Sequence, residues 1–123
     1  MSGNNVFVDT NILIYLLDKD AALLQILDGK SIYISFISEM ELLSVRNYTV
    51  SETRKLEELL ADCIIIDINP EIKRIAVQYR LTLKLKLPDA IIAATSHYLS
   101  FPLLTADKDF SGIKDADVLL YER

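Results

Sequence analysis

Val6-Phe7-Val8-Asp9-Thr10-Asn11-Ile12-Leu13 is the stretch whose reading decides the fold. Val6, Phe7 and Val8 are residues that favour strands. Asp9-Thr10-Asn11 then breaks the apolar run with three polar residues, and Ile12, Leu13, Tyr15, Leu16 and Leu17 follow with the apolar density of a buried helix. A short strand feeding directly into a helix opens a strand–helix–strand unit, the connection that parallel strands require.

The same alternation continues along the chain. A second helical piece is expected from about Ala21 to Leu27, with Gly29 suited to its C-terminal cap. Ser31 to Phe36 alternates apolar and small polar residues and predicts strand two, after which Ser38-Glu39-Met40-Glu41 opens a helix. Another helix starts near Thr49 or Ser51 and places Leu56, Leu59, Leu60 and Cys63 on one face. Cys63 to Ile68 predicts strand three. Asn69-Pro70 is a good N-cap followed by proline at the first helical position, and the helix beyond it buries Ile72, Ile75, Ala76, Tyr79 and Leu83. Pro88 breaks the pattern, Asp89 starts a helix running from Ala90 to Tyr98, and Leu103-Leu104-Thr105 and Val118 to Tyr121 predict strands four and five. The expected architecture is α/β: a central parallel sheet of about five strands with helices on both faces, a single domain over residues 1–123.

Composition narrows the function classes. With 13 basic and 18 acidic side chains the formal net charge is −5, which does not advertise a nucleic-acid binder, since simple phosphate-backbone binders usually carry a basic surplus. One local exception is Lys73, Arg74, Arg80, Lys84 and Lys86, with no acid between Ile72 and Leu87; it fits a solvated helix face or a phosphate-contacting stripe. Cys63 is the single cysteine and suggests a buried thiol at a strand start, and His97 lies near a helix end. No serine–histidine or cysteine–histidine pairing points to covalent catalysis. Met1 to Asn5 lacks the charged and apolar regions of a signal peptide, and the longest apolar run, Ile12 to Leu17, is far too short to cross a bilayer. A cytoplasmic location without membrane contact is expected.

Four acids fall at strand–helix junctions. Asp9 follows strand one, Glu41 lies at the start of the helix after strand two, Asp107 follows strand four, and Asp89 opens the helix before it. Functional residues of a parallel sheet collect at the carboxyl ends of its strands. Carboxylates converging there repel one another unless a hard divalent cation compensates. Each acid also has a structural role open to it. Ser38-x-x-Glu41 has the form of a capping box, Asp9 and Asp89 can cap helices, and Asp107 suits a turn. The residues alone support a divalent-metal site, and the absence of a histidine–cysteine cluster argues against zinc.

Four segments, in order, also resemble the motifs of PIN-domain nucleases: Val6 to Leu13, Ser38 to Leu43, Pro88 to Thr95, and Leu103 to Phe110. The chain's compact size is similar to that of VapC-type toxin ribonucleases of toxin–antitoxin pairs. Ser44 stands near a place where many such toxins carry glycine. The resemblance implies a PIN-like three-layer sandwich and a Mg²⁺- or Mn²⁺-dependent endoribonuclease acting on RNA, with a cognate antitoxin and a homodimeric state. It implies an acidic catalytic site of Asp9, Glu41, Asp89 and Asp107, in which Asp9, Asp89 and Asp107 hold metal. Asn11, Thr105 and Asp109 would be supporting polar groups, with Asp109 able to replace or assist Asp107, and Glu41 would be a ligand or would orient the attacking water. Arg46, Arg80, Lys84 and Lys86 are candidates for contacting RNA phosphates. Two alternatives compete: a catalytically silent PIN-like binding module, and a receiver-type phosphoacceptor domain in which Asp67, in Ile66-Asp67-Ile68-Asn69-Pro70, is the acceptor.

Overall fold

Alternate residues of a strand point to opposite faces, and the first strand puts large apolar side chains on both. Val6 and Val8 pack on one side and Phe7 on the other, all buried, in the computed structural model, which describes residues 4–123. Burying Phe7 alone is worth about 1.5–3 kcal/mol. Met1, Ser2 and Gly3, on which part of the signal-peptide reading rests, lie outside the described residues.

The elements in chain order are β1 (Asn5–Val8), α1 (Thr10–Leu17), α2 (Ala21–Leu27), β2 (Ser31–Ser35), α3 (Phe36–Leu43), α4 (Val50–Ala61), β3 (Ile64–Ile66), α5 (Pro70–Leu83), α6 (Leu87–Leu99), β4 (Leu103–Thr105), a 3₁₀ turn (Lys108–Gly112) and β5 (Val118–Leu120). The strands form one all-parallel sheet in the order β3-β2-β1-β4-β5. Ile72, Ile75, Ala76 and Tyr79 of α5 and the buried residues of α6 cluster with Phe7 and Leu103 on one face. On the other face, Ile12, Leu13 and Leu16 of α1, Leu23 and Leu27 of α2, Leu42 of α3 and Leu56 and Leu60 of α4 cluster with Val8, Ile34 and Leu104. The expected α/β sandwich, with helices on both faces of a five-stranded parallel sheet, is the fold. Among the described residues no helix is long and apolar enough to cross a membrane.

Three boundaries differ from expectation, each for a local reason. α3 begins at Phe36 rather than at Ser38, because Ser35 leaves β2 in extended geometry and its hydroxyl accepts the Ile37 amide. β3 stops at Ile66 instead of Ile68, since its partner strand β2 offers only Tyr33, Ile34 and Ser35 for pairing. α6 begins at Leu87, upstream of the proline expected to break it. Pro88 stands in the first turn, where its missing N–H costs nothing. The Asn69–Pro70 start of α5 is as expected, with Asn69 accepting the Ile72 amide at 2.8 Å, and Gly29 takes the positive φ (+76°) that glycine suits. α4 is closed by a reciprocal capping box between Thr49 and Glu52.

The strand order bears on function. A receiver-type doubly wound sheet runs 2-1-3-4-5, whereas this sheet runs 3-2-1-4-5 and puts Asp67 just past an edge strand, exposed and accepting the amide of its neighbour Ile68. The phosphoacceptor alternative is therefore set aside.

An acidic cleft at the carboxyl edge of the sheet

The chain leaves β1 to one side for β2 and later returns to its other side for β4, so the direction of winding reverses between β1 and β4. A crevice opens at such a point, beyond the carboxyl ends of the strands. Asp9, the residue after β1, and Thr105, the last residue of β4, face each other across it. The Thr105 hydroxyl donates to Asp9 Oδ2, while the Asp107 amide donates to Thr105 Oγ at 3.0 Å. Asp9 Oδ1 accepts the Ile12 amide at 3.2 Å and caps α1. Both carboxylate oxygens of Asp9 are thus fixed, and the side chain is buried.

Glu41 arrives by a second relay. The Thr10 hydroxyl donates to Glu41 Oε1 at 2.6 Å and lies 2.9 Å from the buried Ser38 hydroxyl. Threonine has one hydroxyl proton, so Ser38 donates to Thr10 and Thr10 donates to Glu41. The capping-box role open to Ser38 and Glu41 is removed, because α3 starts two residues earlier and Ser35 caps it. Asp89 is likewise no N-cap: it stands in the first turn of α6, and the cap position is Lys86, which makes no side-chain cap bond. Asp107 does cap, its carboxylate accepting the Asp109 amide at 2.9 Å where the 3₁₀ turn begins.

These four acids line one cleft of about 290 Å³ together with Thr10, Asn11, Ile14, Leu42, Val45 and Ile92. No basic residue lines it, and among the described residues none of the four acids is in an ion pair. Burial pushes the Asp9 carboxyl above its usual range, helped by the charges of Asp107 and Asp89 and opposed by the Thr105 and Ile12 hydrogen bonds. Asp89 is also raised, by burial and then by Asp107 and Glu41, with Lys86 pulling the other way. What offsets the repulsion is the amino ends of α1 and α6, whose free amides and dipoles favour negative charge beside them. Among the described residues no three Asp, Glu, His or Cys side chains are gathered closely enough to hold a metal ion by themselves.

Of the supporting residues expected from sequence, Asn11 lines this cleft and Thr105 lies buried behind it, bonded to Asp9, while Asp109 lines a neighbouring cavity with Lys84, Lys86 and Asp89. Arg46 and Arg80 are exposed and line neither. Ser44 ends α3 with an ordinary negative φ (−89°), its hydroxyl bonded to the Met40 carbonyl, so no glycine is needed there. Sequence reasoning missed Thr10 and Ser38 as the pair that holds Glu41; their signal is small hydroxyl residues at the openings of α1 and α3. Cys63 is partly buried and its thiol is pushed up to about 11 by burial and Asp62, far from nucleophilic. His97 is engaged on the Asp115 carbonyl at 2.9 Å.

Residues 6–116 match the PIN domain family. Among solved structures the chain is similar to one from a toxin–antitoxin complex from Klebsiella pneumoniae, at 34% identity and TM-score 0.82, covering 96% of this chain and 99% of that one. VapBC-1 from nontypeable Haemophilus influenzae matches at 26% identity and TM-score 0.76, over 94% and 97% of the two chains. A chain of VapBC2 from Rickettsia felis, bound to a promoter DNA fragment, shares the fold at TM-score 0.85 and 21% identity, over 96% and 99%. No curated protein sequence matches the chain.

Proposed function

The chain belongs to the PIN domain family, whose members are nucleases, and from that premise we propose that it is a divalent-metal-dependent endoribonuclease, the toxin of a toxin–antitoxin pair. The observation that carries the reading is the cleft itself, with four carboxylates, no cationic side chain among its lining residues and threonine hydroxyls holding two of the acids in place.

The donor set is oxygen only, which suits Mg²⁺ or Mn²⁺ and not zinc. Mg²⁺ keeps several waters and is commonly held by one or two carboxylates plus substrate phosphate oxygens. A cleft whose acids share one cavity without closing a cage of three fits that habit. Asp9, Asp89 and Asp107 would hold the cation. When bound, it supplies positive charge against phosphate oxygens and eases deprotonation of a water. Glu41, steadied by the Thr10 hydroxyl, orients the attacking water and accepts its proton. Thr105 aims Asp9 by donating to it and opposes the rise that burial causes. Asn11, exposed at the rim, supplies an amide N–H for a phosphate oxygen or a ribose hydroxyl.

RNA as the polymer, an antitoxin as protein partner, a homodimeric state and a cytoplasmic location complete the proposal. The antitoxin is supported by the likeness to chains of toxin–antitoxin complexes. Purified protein incubated with a mixed RNA pool, with Mg²⁺ or Mn²⁺ and with chelator, beside Asp89→Asn, tests it. Cleavage that requires metal and falls roughly 10²–10³-fold in the variant is expected. Cleavage surviving in Asp89→Asn sinks the carboxylate site. Metal binding without cleavage of RNA or DNA would mark a silent binding module.

A further inference from the structure

A second cavity of about 240 Å³ adjoins the acidic cleft, lined by Leu83, Lys84, Leu85, Lys86, Asp89 and Asp109. Asp89 lines both cavities and is the wall between them. The lysines come from the short connection between α5 and α6, in which Leu85 is buried as an anchor and Lys84 and Lys86 stay exposed on either side of it.

Lys84 ends α5 in the left-handed region, at φ +56°. The chain often takes this conformation where it leaves a helix, and it does so here at Lys19 and Ser100 as well. Neither lysine is in an ion pair among the described residues, although Asp89 and Asp109 line the same cavity. By contrast, Arg74 of the same basic stretch is held by Glu71 at 2.5 Å, and Arg80 lines neither cavity.

Resting on the nuclease reading above, we propose that Lys84 and Lys86 form a phosphate subsite, taking the backbone phosphate of single-stranded RNA next to the one held at the acidic cleft. The juxtaposition answers a problem set by charge. A chain of formal net charge −5, with four acids in its cleft, repels a polyanion where it must bind one. Two ammonium groups outside any ion pair, one side chain away from the cleft, offset the charges of Asp89 and Asp109 and give a phosphate a cationic partner there. Such contacts set register on the strand and carry no sequence information, so they act as positioning residues.

The test is the salt dependence of binding, read without cleavage. A fluorescent single-stranded oligoribonucleotide pool is titrated with protein in chelator at several KCl concentrations, for wild type, Lys84→Gln/Lys86→Gln and an Arg74→Gln control. Two lost phosphate contacts on a single strand lower the slope of log affinity against log salt by about 1.4, with affinity down roughly tenfold. Arg74→Gln leaves both unchanged, and Lys84→Arg/Lys86→Arg restores them; thermal melts of all variants check folding. With metal present, the glutamine pair raises KM and leaves kcat near wild type. An unchanged slope in the glutamine pair, or no RNA binding by wild type at low salt, overturns the subsite. A changed slope in a wild-type protein that cleaves nothing keeps the subsite and removes the nuclease reading instead.

Discussion

Two clusters of acids in this molecule are treated in opposite ways. At the corner between α1 and α2, Asp18 and Asp20 are met by Arg123, at 3.5 and 3.4 Å. Asp20 also accepts the Tyr121 hydroxyl at 2.8 Å and the Leu23 amide at 3.1 Å. Arg123 lies 4.5 Å over the Tyr15 ring as well, so the C-terminal residues are clamped to the body of the domain. The Leu23 amide, then the Tyr121 hydroxyl and Arg123, hold the Asp20 carboxyl below its usual range. At the cleft, burial and neighbouring acids push Asp9 and Asp89 the other way. The same residue type is met by an arginine where it ties the chain down and, among the described residues, left without an ion pair where two helix amino ends and a reversal of winding meet. On the proposed metal-dependent reading, the contrast separates acids that serve stability from acids held ready for a positive ligand.

The largest effect that could break this comparison is a metal-induced rise in stability. A cation at 100 times its dissociation constant stabilises by about 2.7 kcal/mol. Melting with Mn²⁺ should show that gain in wild type and in Arg123→Ala, and not in Asp89→Asn. An equal gain in all three would place the cation elsewhere.

Next comes the relay that holds Glu41. Thr10→Val removes the hydroxyl that donates to Glu41 while keeping its shape. Losing such a supporting bond costs roughly 10–100-fold in activity or metal affinity. Unchanged kinetics in the variant would make Thr10 a bystander.

A smaller effect sharpens the comparison through pH. Because the Asp89 carboxyl is raised in the fold, its charged form destabilises the protein at pH values above that raised pKa. Stability is regained as pH falls from there toward the unfolded value, since the native state then binds the proton more tightly. Asp89→Asn should therefore melt higher near pH 7, by the order of 0.5–2 kcal/mol usual for relieving a functional site, with the advantage gone below the ordinary carboxylate range. Asp20, depressed, has the opposite sign: its contribution is present above the unfolded pKa and is lost as pH falls through the folded one. Paired denaturation curves of Asp89→Asn and Asp20→Asn against pH should diverge in these directions.

The smallest effect is expected at the clamp. Arg123→Ala removes two partly exposed ion pairs, which salt screens, so it should lower the melting temperature only slightly, and less at high ionic strength. A large loss would mean that the C-terminal clamp supports the fold far more than its exposure suggests.

Much of this was legible in the sequence because its periodicities are local. Val6-Phe7-Val8 feeding an apolar helix, Asn69-Pro70 opening α5 and Gly29 at positive φ are properties of a few consecutive residues, and each stands where expected. The four acids were found as residues at the edge of a sheet, and the fold gathers all four at one cleft. Their roles were not legible. Whether Glu41 capped its own helix or reached across to Thr10 depended on a two-residue shift in where α3 begins, fixed by Ser35 leaving the sheet. Whether Asp107 or Asp109 faces the cleft depended on a 3₁₀ turn that sends Asp109 to the neighbouring cavity. The sequence by itself determined the alternation of strands and helices, because hydrophobic period and capping act over a single turn or strand. Only the tertiary structure decided that the chain reverses its winding between β1 and β4, which brings Asp9 against Thr105, 96 positions away, and gathers the acids of that edge at one cleft. That choice rests on how two apolar faces of the sheet are shared among six helices, a packing problem no local stretch contains.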